Sequence, residues 1–160
     1  MSPAGVTFRL ARGEDAPALA DLRWRLRTET DAGPASEERA AFVRRCSDFL
    51  SQALAQANWT CWVAEDDGRI AATAYLQRVP KLPRPGQPLD FIGYLTSVYA
   101  DPALRNRGIG EALLRRVRDW ADENQVELMI VWPSSRSRSL YGRLGFAGGD
   151  AVMELVLKPE

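Results

Sequence analysis

The stretch that most restricts how this chain can fold is Arg105-Asn106-Arg107-Gly108-Ile109-Gly110, which joins an apolar run to an amphipathic helix. Before it, Phe91-Ile92-Gly93-Tyr94-Leu95-Thr96-Ser97-Val98-Tyr99 is rich in aromatic and β-branched residues and stops at Ala100-Asp101-Pro102, the pattern of a buried strand closed by a turn. After it, Ile109, Ala112, Leu113, Val117, Trp120 and Ala121 recur at helical spacing, with Arg115, Arg116, Arg118, Asp119 and Asp122 on the other face. Gly108 and Gly110 therefore open a helix that follows directly on a strand, which predicts an α/β arrangement. A helix start exposes unpaired N–H groups and the positive end of a dipole, and glycine removes the side-chain carbon that would hold an oxyanion away. The segment reads as an anion cradle to which Arg105 and Arg107 add charge. The competing reading is an ordinary tight turn with solvated arginines.

Two nucleotide-binding patterns are excluded. Gly110-Glu111-Ala112 stands where a P-loop carries Gly-Lys-Ser/Thr, and Leu113 stands where a dinucleotide fingerprint carries its third glycine. The chain has no histidine, which removes the commonest general base and the commonest metal ligand together. Cys46 and Cys61 lack the Cys-x-x-Cys spacing and read as small apolar residues, so neither a metal nor a cysteine nucleophile is expected. Twenty-one basic residues balance twenty-one acidic ones, so no overall field favours nucleic acid or an anionic membrane. With no leader pattern and no long apolar run, the expectation is one cytoplasmic domain over residues 1–160, without a nucleic-acid or membrane partner.

Elsewhere, Val6 to Leu10 reads as a strand. Gly13-Glu14-Asp15 and Pro17 open a helix with Leu19, Leu22, Trp24 and Leu26 on its apolar side, broken by Asp31-Ala32-Gly33-Pro34. A second helix is expected over roughly residues 36–57, capped by Ser36 and carrying Phe42, Val43, Cys46, Phe49, Leu50 and Leu54. Residues 59–64 and 69–78 flank Glu65-Asp66-Asp67-Gly68 as a hairpin. Residues 79–88, with Pro80, Pro83, Pro85 and Pro88, are expected to loop out of the sheet. A strand over 127–132, a short helix or turn over 134–141 and a last strand over 151–157 complete the order.

Three motifs carry a family resemblance. Arg105-x-x-Gly108-x-Gly110 resembles the acyl-CoA signature of the GNAT N-acetyltransferases, whose loop binds the coenzyme A pyrophosphate. Val98-Tyr99-Ala100-x-Pro102 stands where that family has the strand end that pairs with pantetheine, and Leu140-Tyr141-Gly142-Arg143-Leu144-Gly145-Phe146 is similar to its Tyr-x-x-x-Gly-Phe segment. The resemblance implies an α/β fold with a mixed, mostly antiparallel twisted sheet flanked by helices, in which a splayed parallel strand pair binds acyl-CoA. It implies acetyl-CoA as acyl donor and no metal. Val98, Tyr99 and Ala100 would meet pantetheine through backbone, and Arg105, Asn106, Arg107, Gly108, Ile109, Gly110 and Glu111 would hold the pyrophosphate. Ser134, where the family often has asparagine, and Ser137 would touch the coenzyme.

Tyr141 is the catalytic candidate: a phenol with a pKa near ~10 stays protonated at neutral pH and can protonate the departing thiolate. A plain core tyrosine beside Phe146 is the alternative. Related enzymes often place a glutamate base on the strand before the cradle, and this chain has none there. Tyr94 and Thr96 point inward by period two. Asp90, Glu29 or a water relay on Thr96, Ser97 or backbone carbonyls remain open as the base. Acceptor specificity is assigned to Trp24, Arg25, the loop after them and the proline-rich loop. The resulting expectation is transfer of acetyl to a primary amine of a small molecule by direct attack in a ternary complex, in a chain that can form a homodimer. A catalytically silent acyl-CoA sensor and a protein N-terminal or lysine acetyltransferase are the alternatives.

Overall fold

A computed structural model of the protein describes residues 5–30, 37–86, 90–149 and 152–157. The strands are β1 (Val6–Leu10), β2 (Trp59–Asp66), β3 (Arg69–Pro80), β4 (Phe91–Ala100) and β5 (Val126–Ile130). The helices are α1 (Ala16–Thr30), α2 (Arg39–Ala55), α3 (Ile109–Glu123) and α4 (Arg138–Arg143). One sheet runs in the order β1-β2-β3-β4-β5, antiparallel throughout except for the parallel β4–β5 pair.

Helices cover both faces, because the strands are apolar on both sides of the pleat. Cys61, Val63 and Tyr75 turn toward α1 and α2 and pack with Ala16, Leu19, Ala20 and Leu50. Their neighbours Trp62, Ala64, Ala72, Ala74, Leu76 and Leu95 turn the other way, toward Ile109, Leu113, Leu114 and Val117 of α3 and Tyr141 and Leu144 beyond it. Each large apolar side chain of α3 buried there contributes about 1.5–3 kcal/mol of transfer free energy. That face fixes the start of α3, and with it the cradle, against the sheet.

Several boundaries differ from expectation for physical reasons. The hairpin turn tightens to Asp67-Gly68, both with positive φ (51° and 72°), the conformation that matches strand twist in a two-residue loop. Val79 and Pro80 pair with Ile92 and Phe91, so the proline-rich loop begins only at Lys81. Pro80 is tolerated because it ends the strand, and Lys81 N–H donates to Asp90 O in its place at 3.0 Å. The expected last strand does not form: 152–157 carry no strand, and Val152, Met153, Leu155, Val156 and Leu157 are exposed. Strand propensity there lacks a paired neighbour to realise it. The expected Ser36 cap, the Asp31–Pro34 break and Ala151 lie outside the described residues.

Gly93 sits in the paired half of β4, opposite Met129. A Cβ there would meet Leu76 Cδ1 at 2.9 Å, Met129 Cγ at 3.1 Å and Val126 Cγ1 at 3.1 Å. Gly93→Ala is expected to destabilise the protein by about 1–3 kcal/mol through overpacking. Urea unfolding reads this as a lower midpoint at unchanged slope, and an unshifted midpoint would refute it.

Candidate active site

β4 has ten residues and β5 has five, and their pairing ends at Tyr94 and Ile130. From Leu95 onward, no strand among the described residues lies on that edge of β4. Asp101 N–H donates to Ala71 O on β3 at 2.8 Å. By the alternation of an antiparallel ladder, Tyr99 therefore faces β3, while Val98 and Ala100 turn their backbone groups to the open edge. An extended ligand can add there as a strand does.

The same stretch contains a β-bulge. Thr73 pairs with Tyr99 but Tyr75 pairs with Thr96, so β4 carries one extra residue, and Ser97 takes φ 52°. Thr73 Oγ1 donates to Ser97 O at 3.2 Å and pins the bulge. Consecutive residues Thr96 and Ser97 consequently line one cavity of about 240 Å³ between the sheet and α1 and α2, with Tyr94 beside them.

Beyond β4, the Asp101 carboxylate accepts from Ala103 N at 3.1 Å and starts a short turn over Pro102–Leu104. Gly108, at φ 76°, is the N-cap of α3. A residue with a Cβ in that left-handed conformation costs about 1–2 kcal/mol, and nothing in the protein lies within 4 Å of where the Cβ would be. The first helical bond runs from Ala112 N to Gly108 O, at 2.9 Å. The N–H groups of Ile109, Gly110 and Glu111 are left for an external acceptor. Ile109 is buried and anchors the helix start, whereas the Glu111 carboxylate is engaged by Arg115 at 2.7 Å.

The two arginines of the cradle differ. Arg105 holds both oxygens of Glu29, at 2.5 and 2.7 Å, and its Nε donates to Ala100 O at 3.0 Å. It braces the loop against α1, with its guanidinium 5.6 Å from the Tyr99 ring centroid. Arg107 is exposed and has no ion pair among the described residues, so it is the arginine whose charge is uncommitted. Arg25, one turn before Glu29, pairs with Asp101 at 3.5 Å and adds to the brace.

Tyr141, on α4, is buried, and its ring meets Phe146 at 5.5 Å and 65°. Its carbonyl accepts from Leu144 N and Phe146 N at 3.0 and 3.1 Å, which fixes the residue in place. Burial pushes its phenol up to about 12, and the hydroxyl has no hydrogen-bond partner among the described residues. Ser134 and Ser137 face each other, Oγ to Oγ, at 3.0 Å where α4 begins.

The acetyltransferase (GNAT) family profile matches residues 17–146. The chain belongs to the GNAT family. A GNAT relative by sequence, glucosamine 6-phosphate N-acetyltransferase of Trypanosoma brucei brucei, is 31% identical over 90 residues, covering 56% of this chain and 59% of that protein. The alignment thus spans less than two thirds of that relative. Among solved structures, a predicted acetyltransferase of Clostridium acetobutylicum, determined with acetyl-CoA, is similar with a TM-score of 0.79 and 26% identity over 95% of this chain and 96% of that one. A GCN5-related N-acetyltransferase from Ralstonia eutropha JMP134 is similar with a TM-score of 0.76 and 27% identity over 95% and 99%.

Neither carboxylate considered as a base in this GNAT domain is poised for the task. The hydrogen bonds from Arg105 hold Glu29 below its ordinary value of 4.5. Burial works to raise Asp90, but the Arg84 hydrogen bond at 2.6 Å and the Lys81 and Arg84 charges outweigh it and leave the carboxyl below 3.8. Trp24 packs on Phe42 at 5.5 Å and Arg25 is engaged with Asp21 and Asp101, so the α1 residue that reaches the cavity is Arg23. Its signal in the sequence is position: Ala16, Leu19, Ala20 and Arg23 follow helical spacing, which places a charge on the apolar stripe. Trp132 stands edge-on to Tyr94 at 5.3 Å and donates to the Glu154 carboxylate, a residue that no sequence motif singled out.

The Glu29–Arg105 brace has a defined pH response. A carboxyl whose folded pKa lies below its unfolded value stabilises the fold above the unfolded value and loses that contribution as pH falls through the folded one. Stability is expected to drop by about 1 kcal/mol more in the wild type than in Glu29→Gln between about pH 6 and pH 3. Urea midpoints at the two pH values check this; identical drops would show that the brace contributes nothing.

Proposed function

We propose that this protein transfers an acetyl group from acetyl-CoA to the primary amine of a small molecule, by direct attack in a ternary complex. The observation that carries the reading is the continuity of the open edge of β4 with the Gly108 helix start. Pantetheine fits the edge, through Val98 and Ala100 beside Tyr99, and the pyrophosphate fits the amides from Asn106 to Glu111 with Arg107 as counter-charge. The space beside Gly108, which any Cβ would enter, suits a phosphate oxygen. Ser134 and Ser137 offer hydroxyls at the far side of the splay.

When bound, acetyl-CoA supplies a thioester carbonyl. The amine nitrogen attacks it, the new C–N bond forms as the C–S bond breaks, and the Tyr141 hydroxyl delivers a proton to the leaving sulfur. Tyr141 is suited to this because its phenol stays protonated until pH approaches about 12 and its position is fixed by Phe146. The amine proton leaves through water held near Thr96 and Ser97, since Glu29 and Asp90 are tied in ion pairs. A cavity of only about 240 Å³ favours a small acceptor over a peptide, and a tyrosine hydroxyl left without a partner among the described residues favours an enzyme over a silent sensor. Two free thiols, Cys46 and Cys61, fit a reducing compartment such as the cytoplasm. The exposed apolar residues of 152–157 support a homodimer formed over that segment.

Release of free thiol from acetyl-CoA, followed across a panel of amines and peptides, tests the reading. Turnover with small amines is expected. Coenzyme binding without any release would make the protein a sensor, and release with peptides alone would make it a protein modifier. Tyr141→Phe is expected to lower kcat roughly 10²-fold with little change in acetyl-CoA affinity by calorimetry. Equal turnover at every pH would remove Tyr141 from the chemistry.

A further inference from the structure

The cavity beside the bulge has polar chemistry that acetyl transfer alone does not require. Arg23 reaches it from α1 and donates to Ser97 Oγ at 3.0 Å, and among the described residues it has no carboxylate partner. Burial, and secondarily the nearby Arg27 charge, lowers its pKa. Arg9 and Arg105 are answered by acids, Asp15 and Glu65 for the one and Glu29 for the other, and Arg78 and Arg116 lie over aromatic rings; Arg23 faces a cavity instead. A guanidinium drawn partly out of water without an anion calls for one from outside.

A second polar group points the same way. Tyr75 lines the cavity and is only 6% exposed, and its hydroxyl has no hydrogen-bond partner among the described residues. Its neighbour is the Cys61 thiol, a weak donor that is directed to Trp62 O at 3.7 Å instead. An unmet hydroxyl of this kind is costly unless a ligand or water answers it.

The wall supplied by α2 and Trp59 is apolar. Leu50 is buried, and Phe49 and Trp59 meet edge to face at 6.4 Å and 81° at the far end. The volume, about 240 Å³, falls below the ~300–1,000 Å³ of sites for drug-sized ligands. A sugar phosphate would bring hydroxyls against that apolar side, which cannot hydrogen-bond them.

We propose that this cavity is the acceptor site and that it selects a small amino carboxylate with an apolar body, its carboxylate on Arg23 and Tyr75 and its side chain against Leu50, Phe49 and Trp59. This rests on the acetyltransferase reading above. Because Arg23 is held at Ser97, on the part of β4 whose edge is open, an amine one carbon from the carboxylate lies beside the splay where the thioester sits. The lone pair of that amine forms the C–N bond, the C–S pair leaves with sulfur as free thiol, and no redox partner is needed. The product is an N-acetyl amino acid.

The test uses the intact protein, acetyl-CoA and four probes: L-phenylalanine, L-leucine, phenethylamine and glucosamine 6-phosphate. Thiol release is expected with both amino acids, with kcat/KM about tenfold or more above that for phenethylamine, which lacks the carboxylate. Arg23→Gln is expected to erase that preference through KM, and Arg23→Lys to restore part of it. Calorimetry without acetyl-CoA reads the site independently, with L-phenylalanine binding the wild type about tenfold or more tighter than Arg23→Gln. Amino-acid binding that depends on Arg23, without thiol release from any amine, would sink the transfer reading and leave the cavity assignment standing. Thiol release with glucosamine 6-phosphate or phenethylamine, but neither turnover nor binding of the amino acids, would overturn the assignment. So would equal loss toward phenethylamine and L-phenylalanine in Arg23→Gln. Should that variant fail to fold, the wild-type preference between L-phenylalanine and phenethylamine decides by itself.

Discussion

The rest of the molecule is arranged around a strand left unpaired on one edge. β5 stops at Ile130 while β4 runs on to Ala100, and three residues after Ile130 comes Pro133, a residue with no N–H to continue a ladder. Backbone groups left open inside a fold must find a partner. Among the described residues Arg105 takes Ala100 O, and the proposed function assigns the rest of the edge to pantetheine. The helices hold this opening apart. α3 packs its apolar stripe under one face of the sheet, and α1 and α2 cover the other.

The extra residue at Ser97 gives the open strand a second use. A regular strand would send Thr96 and Ser97 to opposite faces, whereas the bulge places both beside the same cavity. One irregularity therefore serves the edge of β4 and its face at once. Its retention at a positive φ without glycine, held by Thr73, fits the placement of strained backbone near functional sites.

Features set by local chemistry were legible in the sequence. The strand into the cradle, the glycine helix start and the amphipathic stripe of α3 need only neighbours within a turn or two, and they fold as read. Features set by distant partners were not. Arg105 reads as part of an anion cradle from its neighbours, and its pairing with Glu29, 76 residues away, leaves no local mark. The bulge is invisible to a period-two reading, which cannot say where a strand takes an extra residue. The apolar 151–157 segment read as a strand because composition does not reveal whether a neighbouring edge will accept it. Trp24 and Arg25 read as acceptor-side residues from their place near a loop, and helical phase adds Arg23, which lines the cavity.

Helix α1 contributes to both ends of the opening, with Arg23 at the cavity and Glu29 on the Arg105 brace. Six residues at ~1.5 Å per residue set these points about 9 Å apart along one rigid axis. The distance between the donor loop and the proposed acceptor anchor is thus a property of helical pitch, and no loop has to close to establish it. The helix acts as a measuring rod, so the register of α1, more than the flexibility of any lid, sets the length of molecule that fits between the two ends.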